Sequence, residues 1–405
     1  MNRVAITGMG IISPIGNLPQ EVWQALVQGR SGIVCVPEWE EVKELKVSLA
    51  GVCRDYDPKK IKRKDRRTMG RMAVMAALSA IDALTQAGNP PGVIQSHRSG
   101  VAMGSTTGSG EVIQALFNDV HETRGISRLE GTAFMKIMNH SVAANLAAML
   151  GVEGRVISPC AACATSTQSI GMGYETIRGG FQDVMICGGA DELHFSTAGI
   201  FDVLNAASRQ KEPGGSPRPF DDRRDGLVVG EGAGTLILEN LDHALERKAD
   251  ILGEIIGFET LCDGAHMTTP RDRGMFRCMT RALASAGCTI GDIDYINAHA
   301  TGTLVGDAAE SRAIAMLGPD LPPVGATKGY TGHTLAASGV MEAIFSLMMM
   351  ANNTLIPTRN LESVAADCAG IPHVRETFKT RVDTVMTSNF AFGGINATLI
   401  LKKYV

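Results

Sequence analysis

Arg155-Val-Ile-Ser-Pro-Cys160-Ala-Ala-Cys163-Ala-Thr-Ser-Thr-Gln-Ser-Ile-Gly171 is the stretch on which the reading of this chain turns. A β-like run ends at Ser158-Pro159 and small residues follow. Ile170, Tyr174 and Ile177 then recur at helical spacing. Cys163 therefore sits where a strand turns into a helix, and Ala161, Ala162 and Ala164 leave its sulfur open. A helix start favours the thiolate, because unpaired N–H groups and the macrodipole stabilise negative charge. The same N–H groups can bind a developing oxyanion. Cys160 and Cys163 formally make C-x-x-C. A zinc ribbon needs a second close pair, and no other two cysteines are neighbours in sequence. A thioredoxin-like redox pair stays compatible with the spacing. Cys160 is expected to be a packed neighbour.

Working outward, short apolar runs alternate with longer helical patterns. Val4 to Ile6, Ser99 to Met103, Val184 to Cys187 and Gly234 to Leu238 read as buried strands. Met72 to Ala87 and Ser141 to Leu150 read as helices. A second set follows: strands at Ile251 to Glu259, Ile293 to Ala298, Val382 to Thr387 and Ala397 to Leu401, with helices at Arg273 to Ala286, Glu310 to Leu317 and Gly339 to Ala351. The alternation predicts an α/β layered fold. The chain reads as two similar halves, 1–250 carrying Cys163 and 251–405 carrying the clusters described next. Lys211 to Arg224 is the most loop-like stretch.

The totals exclude several classes. Net charge is −4, which argues against a generic nucleic-acid binder. Nine scattered cysteines in 405 residues do not make a secreted disulfide scaffold. No run reaches the roughly 18 apolar residues of a membrane span. Val340 to Ala351 comes nearest and is interrupted by Glu342. Arg3 to Gly8 reads as a buried strand and turn rather than a signal peptide. A cytoplasmic protein with no membrane or nucleic-acid partner is expected.

Three further clusters carry chemistry. Asn297-Ala-His299-Ala-Thr301-Gly-Thr303 follows a strand, and its threonines can offer hydroxyls to a carboxylate. Ala326-Thr-Lys328-Gly-Tyr-Thr-Gly-His333 puts a lysine and a histidine on one glycine-broken loop ahead of a helix. Ser388-Asn-Phe390-Ala-Phe392-Gly393-Gly394-Ile-Asn396 has a Gly-Gly after an aromatic, which lets backbone approach a ligand closely. Each histidine taken alone reads as a structural residue before a catalytic one. The other seven histidines have no such context.

Together these segments resemble the elongating β-ketoacyl-acyl-carrier-protein synthases, closest to type I, over essentially the whole chain. Ala162-Cys163-Ala-Thr-Ser matches the nucleophile motif. Arg218-Pro-Phe-Asp221, Arg224-Asp-Gly226 and Gly230-Glu-Gly-Ala233 match the central signature, and the three clusters above match the rest in order. The resemblance implies a thiolase-like five-layered α/β/α/β/α fold built from two similar halves, usually as a homodimer. It implies that Cys163 takes an acyl group from acyl carrier protein. Malonyl-carrier protein then loses carbon dioxide, and the carbanion attacks the thioester to give a 3-oxoacyl product. His299 and His333 would donate Nε2–H to the enolate oxygen. Lys328 would organise the site with Glu310. The N–H groups of Cys163 and Phe392 would form the acyl oxyanion hole, with Phe392 also a gate. Thr301 and Thr303 would lie near the malonyl carboxylate and the pantetheine arm. Thr107 and Phe390 would shape the acyl pocket. No metal and no cofactor are implied, since the 4′-phosphopantetheine arrives on the carrier protein.

Lys59, Lys60, Lys62, Arg63, Lys64, Arg66 and Arg67 form a basic cluster. Within it Lys64 and Arg67, with Arg209 elsewhere, match carrier-docking positions, and such an encounter should weaken with salt. Ala300, Gly302, Tyr330, Ala391, Ile395 and Thr107 depart from the family pattern or sit at its variable positions. Ala391 is expected to stiffen the gate loop, and Thr107 to favour short or unsaturated chains. A polyene or polyketide ketosynthase is the alternative enzyme. A non-catalytic chain-length-factor-like subunit in a heterodimer is the alternative of another class, and Cys163 with both histidines argues against it.

Overall fold

The structure is a computed structural model that describes residues 1–88 and 91–404. Ten strands make one sheet: β1 (Val4–Ile12), β2 (Ser99–Gly104), β3 (Val156–Ile157), β4 (Val184–Asp191), β5 (Gly232–Asn240), β6 (Gly253–Cys262), β7 (Tyr295–Asn297), β8 (Val324–Gly325), β9 (Thr384–Ala391) and β10 (Ile395–Lys402). Their order across the sheet is β8-β7-β9-β10-β6-β1-β5-β4-β2-β3. Read from either outer edge inward, each wing repeats the other. In each, a short outer strand lies parallel to the next, the third strand is also parallel, and two antiparallel strands follow. The wings meet where Val4, Ala5 and Ile6 pair with Ile255, Glu254 and Gly253.

The apolar content of these strands explains the layering. β2, β4 and almost all of β5 are buried on both faces, so each needs helices above and below. Seven helices matter for the site: α1 (Pro19–Val27), α2 (Arg71–Ala87), α3 (Thr165–Arg178), α4 (Phe195–Val203), α5 (Asp272–Ala286), α6 (Leu304–Ala315) and α7 (Ser338–Asn352). α3 and α7 form the middle layer. The Ser166 hydroxyl accepts from the Val340 N–H at 2.9 Å. Gly339 lets the two helices close, because a β-carbon there would collide with the Thr167 hydroxyl. The segment Leu335–Asn352 is long and apolar enough to cross a membrane, yet 89% of it is buried inside the protein, as a core helix requires.

Some expected boundaries move. β7 is only three residues long. α6 begins at Leu304, not Glu310, because Gly306 and the lack of an apolar stripe conceal its first turns in the sequence. Three cysteines depart from the buried-hydrophobe expectation: Cys35, Cys160 and Cys262 are exposed.

Candidate active site

Cys163 lies on a single 3₁₀ turn, Ala162–Ala164, that runs directly into α3. Its predecessor Ala162 has φ +45°, a left-handed conformation that costs an alanine energy and aims the next side chain out of the turn. The strand-to-helix placement agrees with the sequence reading, but the expected resting thiolate does not. Burial pushes the Cys163 thiol up to about 12, and the Lys328 charge and the residue's own N–H only partly oppose it. The nucleophile therefore rests as a thiol. Cys160 is also corrected. It is exposed, its sulfur accepting from Asn139 Nδ2 at 3.1 Å, and it does not pack as a neighbour.

Two histidines from the other wing converge on this thiol. His333 Nε2 is 2.9 Å from Cys163 Sγ. His333 Nδ1 accepts from the Leu335 N–H at 3.3 Å and faces the Ser338 hydroxyl at 2.9 Å. A ring nitrogen that accepts a backbone N–H carries no hydrogen, so in the neutral ring the hydrogen sits on Nε2. His299 obeys the same logic. Its Nδ1 accepts from Lys328 Nζ and from Asn389 Nδ2, each at 3.2 Å. Both rings are neutral: burial comes first, with Lys328 adding to it, and holds both well below the usual histidine range. The two rings meet edge to face with centroids 5.2 Å apart.

Lys328 is buried and donates to the His299 carbonyl at 2.6 Å. Its carboxylate partner is Glu342, in a short buried ion pair, and not Glu310. Burial raises the Glu342 carboxyl, and Lys328 and Asn389 oppose that rise. Asn389 Nδ2 also donates to Glu342 at 2.7 Å, which closes a Lys328–Glu342–Asn389 ring beneath His299. Glu310 serves the backbone instead. It accepts from the N–H groups of His299 and Ala300, each at 2.7 Å, and burial pushes it up to about 8. Asp307, up to about 6 through burial, accepts from Phe220, Thr301 and Gly302. The central signature thus braces the histidine loop through this carboxylate. Glu342, Asn389, Ser338 and Asp307 were not singled out in the sequence. Glu342 had a visible signal, an acid inside an otherwise apolar helix.

A cavity of about 420 Å³ is lined by Cys163, His299, His333, Thr301, Thr303, Glu310, Phe390 and Phe392. The Thr301 and Thr303 hydroxyls are 3.0 Å apart on its wall. The Phe390 ring lies edge-on to His299 with centroids 6.4 Å apart. Phe392 is 37% exposed at the mouth and tilts against Phe201 at 5.8 Å. Behind it Gly393 has φ +83°, and its N–H donates to the Met267 carbonyl at 2.8 Å. Ala391 is extended at φ −119°, a geometry any residue adopts. Gly302 at φ +85° is a position where glycine is needed. Tyr330 is fully buried, bonds the Pro357 carbonyl at 2.9 Å and does not line the cavity.

Thr107 is not at this cavity. It is exposed on the loop that follows β2. Lys64 and Arg67 are exposed around the short helix Arg63–Arg66. Arg209 is half-exposed and already paired, 3.0 Å from Asp202 and 2.9 Å from Asn205. Cys163, His299 and His333 also bring three donor atoms within 4.8 Å of one another. Both imidazoles direct Nε2–H, not a lone pair, toward the thiol, so the set suits an anion better than a metal ion.

This geometry has known counterparts. Residues 1–244 match the family description "Beta-ketoacyl synthase, N-terminal domain", and residues 252–362 match "Beta-ketoacyl synthase, C-terminal domain". The chain is 39% identical to the 3-oxoacyl-[acyl-carrier-protein] synthase 1 of Haemophilus influenzae, covering 100% of both. It is 38% identical to that of Escherichia coli K12, covering 100% of this chain and 99% of the other. Among solved structures, a beta-ketoacyl synthase from Burkholderia phymatum superposes with TM-score 0.97 at 40% identity, and the ishigamide ketosynthase/chain length factor with 0.94 at 30%, each over 100% of both chains.

Proposed function

The chain belongs to the β-ketoacyl synthase family, and from that premise we propose how its own residues divide the reaction. The fold is the thiolase-like α/β fold of that family, and the enzyme is a 3-oxoacyl-acyl-carrier-protein synthase of fatty-acid elongation. In the first half-reaction the Cys163 sulfur takes the acyl group, and the proton it loses ends on the pantetheine thiol that leaves. In the second, the malonyl carboxylate departs as carbon dioxide. The enolate carbon bonds to the acyl carbonyl carbon, and Cys163 leaves as sulfur that regains a proton.

The observation that carries the assignment is the pair of fixed tautomers. Two neutral imidazoles present Nε2–H to one small volume beside Cys163, which is what an enolate oxygen requires. A charged imidazolium would instead favour protonating the carbanion. Burial keeps both rings neutral, with the Lys328 charge adding to it, and Glu310 fixes the His299 backbone. The N–H groups of Cys163 and Phe392 take the acyl oxygen, and Thr301 and Thr303 guide the malonyl arm. The arm enters past Phe392, between the exposed apolar side chains Leu204, Met267, Leu304 and Val305. We take residue 250 as the boundary between the halves.

Acyl carrier protein is the partner, steered by Lys64, Arg67 and Arg209. A relative solved as "AntDE:AntF", a ketosynthase with its acyl-carrier protein, is 26% identical with TM-score 0.90. The second copy in a homodimer would sit on the β3 edge, supported by exposed Phe117, Phe134 and Met135 on the helices after Thr107. Thr107 would bound an acyl pocket only across such an interface. No cofactor of the enzyme's own enters any step, and the chain is taken to act in the cytoplasm.

The test is to incubate the protein with acyl- and malonyl-carrier proteins and follow the mass of the Cys163 peptide and of the product. An acyl adduct that disappears as carbon dioxide and a two-carbon-longer product form is expected. No adduct on Cys163 sinks the assignment.

A further inference from the structure

A cavity of about 900 Å³ lies apart from the catalytic cysteine. It is bounded by the turn between β1 and α1, by residues 29–34 and 52–60, and by Arg359. Among the described residues, Arg30 and Arg54 make no side-chain hydrogen bond or ion pair. Arg359 bonds only oxygens of neutral groups: Gly29 at 3.1 Å, Gly214 at 3.3 Å and Asn360 at 3.1 Å. Four acids line the cavity as well, and two of them, Glu21 and Asp57, accept hydrogen bonds. Glu21 accepts from the Asn17 N–H at 3.0 Å, Asp57 caps Lys59 at 2.9 Å, and Asp82 faces Lys60. Asp55 and Asp82 make no side-chain hydrogen bond or ion pair among the described residues. Asn17 Oδ1 is buried in the wall with no hydrogen-bond partner, an acceptor open to a ligand O–H or N–H. Ile15, Val52 and the Tyr56 ring give the cavity an apolar side.

The wall of this cavity is joined to the catalytic loop. The Gly32 N–H donates to the Tyr330 carbonyl at 2.8 Å, and the Ser31 hydroxyl reaches the Gly329 carbonyl at 3.3 Å. Gly329 packs so closely on Arg359 that a β-carbon there would lie 2.8 Å from Arg359 Cβ. Lys328 precedes this contact and His333 follows it.

We propose that this cavity binds a small organic phosphate through Arg30, Arg54 and Arg359, and that its occupancy shifts the Lys328–His333 loop. Guanidinium forks suit phosphate oxygens, and the volume beyond them fits an organic body. The loop's catalytic role rests on the condensing reading; the binding does not.

Isothermal titration calorimetry of the full-length protein with ADP as probe tests the binding. Saturable one-to-one binding is expected, weakened at least about tenfold in the Arg30→Glu, Arg54→Glu variant. Cys163→Ala should bind ADP as the parent does, which separates this site from the catalytic one. The rate of Cys163 alkylation by iodoacetamide should change at least about twofold when ADP saturates. Circular dichroism of the double variant verifies that it folds, and Arg54→Ala alone serves if it does not. Absence of saturable binding, insensitivity to the arginine substitutions, or an unchanged alkylation rate overturns the proposal.

Discussion

Glu342→Leu is the most informative single substitution, because it isolates the ion pair beneath the two histidines. Lys328 and Glu342 are 1% and 2% exposed, so neither charge can turn to solvent. Removing one partner of a buried pair costs about 3–5 kcal/mol, whereas replacing both by apolar groups is often nearly neutral. Lys328→Met has its own ceiling. The stranded Glu342 escapes by taking up a proton, which at pH 7 costs about 4 kcal/mol from an ordinary glutamate value. The Lys328→Met, Glu342→Leu double variant should therefore be more stable than either single one, with a coupling energy of at least about 3 kcal/mol. Equilibrium urea denaturation followed through Trp23 and Trp39 measures it. The pH dependence adds a sign. In Lys328→Met the carboxyl, already raised by burial, loses its main opposing charge. A raised acid favours the folded state at low pH, so this variant should be most stable near its unfolded value and weaken toward neutrality. Single variants that each lose less than about 1 kcal/mol, with additive effects, would refute the buried-pair reasoning.

Other outcomes follow from the same site. His299→Ala and His333→Ala should retain acylation of Cys163 but lower carbon dioxide release by about two to three orders of magnitude, the loss of one oxyanion donor; full decarboxylation in either removes that histidine from the role. Glu310, raised to about 8, binds its proton more tightly when folded, so stability should fall as pH rises from about 4.5 to 8, by up to about 5 kcal/mol. Glu310→Gln should flatten that slope in pH-resolved thermal melts. Lys64→Glu with Arg67→Glu should raise KM for acyl-carrier protein and shrink its salt dependence, leaving Tm within about 2 °C. If KM stays put, these charges do not dock the carrier.

Much of the site was legible because it is written in local patterns. The turn at Cys163, the His299 and Lys328–His333 loops and the Phe392-Gly-Gly run all sit at element ends marked by small residues. Strand and helix cores were readable for the same reason: β2, β4 and α7 are mostly apolar and buried over all or nearly all of their length. What stayed hidden depends on contacts distant in sequence. Lys328 finds its acid on α7, and Asn389 reaches that acid and His299 from β9. Nothing local in the Asn389 segment announces that bond. The resting thiol of Cys163 escaped notice because a helix start argues for a thiolate, whereas burial, which only the packed fold reveals, argues more strongly against one.

The mirrored strand order has a consequence for synthesis. A chain leaving the ribosome completes β1 to β5, and with them the Cys163 turn, while His299, Lys328 and Asn389 are still unmade. β9, which carries Asn389, must then slot between β7 and β10, two strands made before and after it. The nucleophile can be shielded early, but its chemistry is assembled only with the last strands, so a nascent chain carries an unarmed cysteine through most of its production.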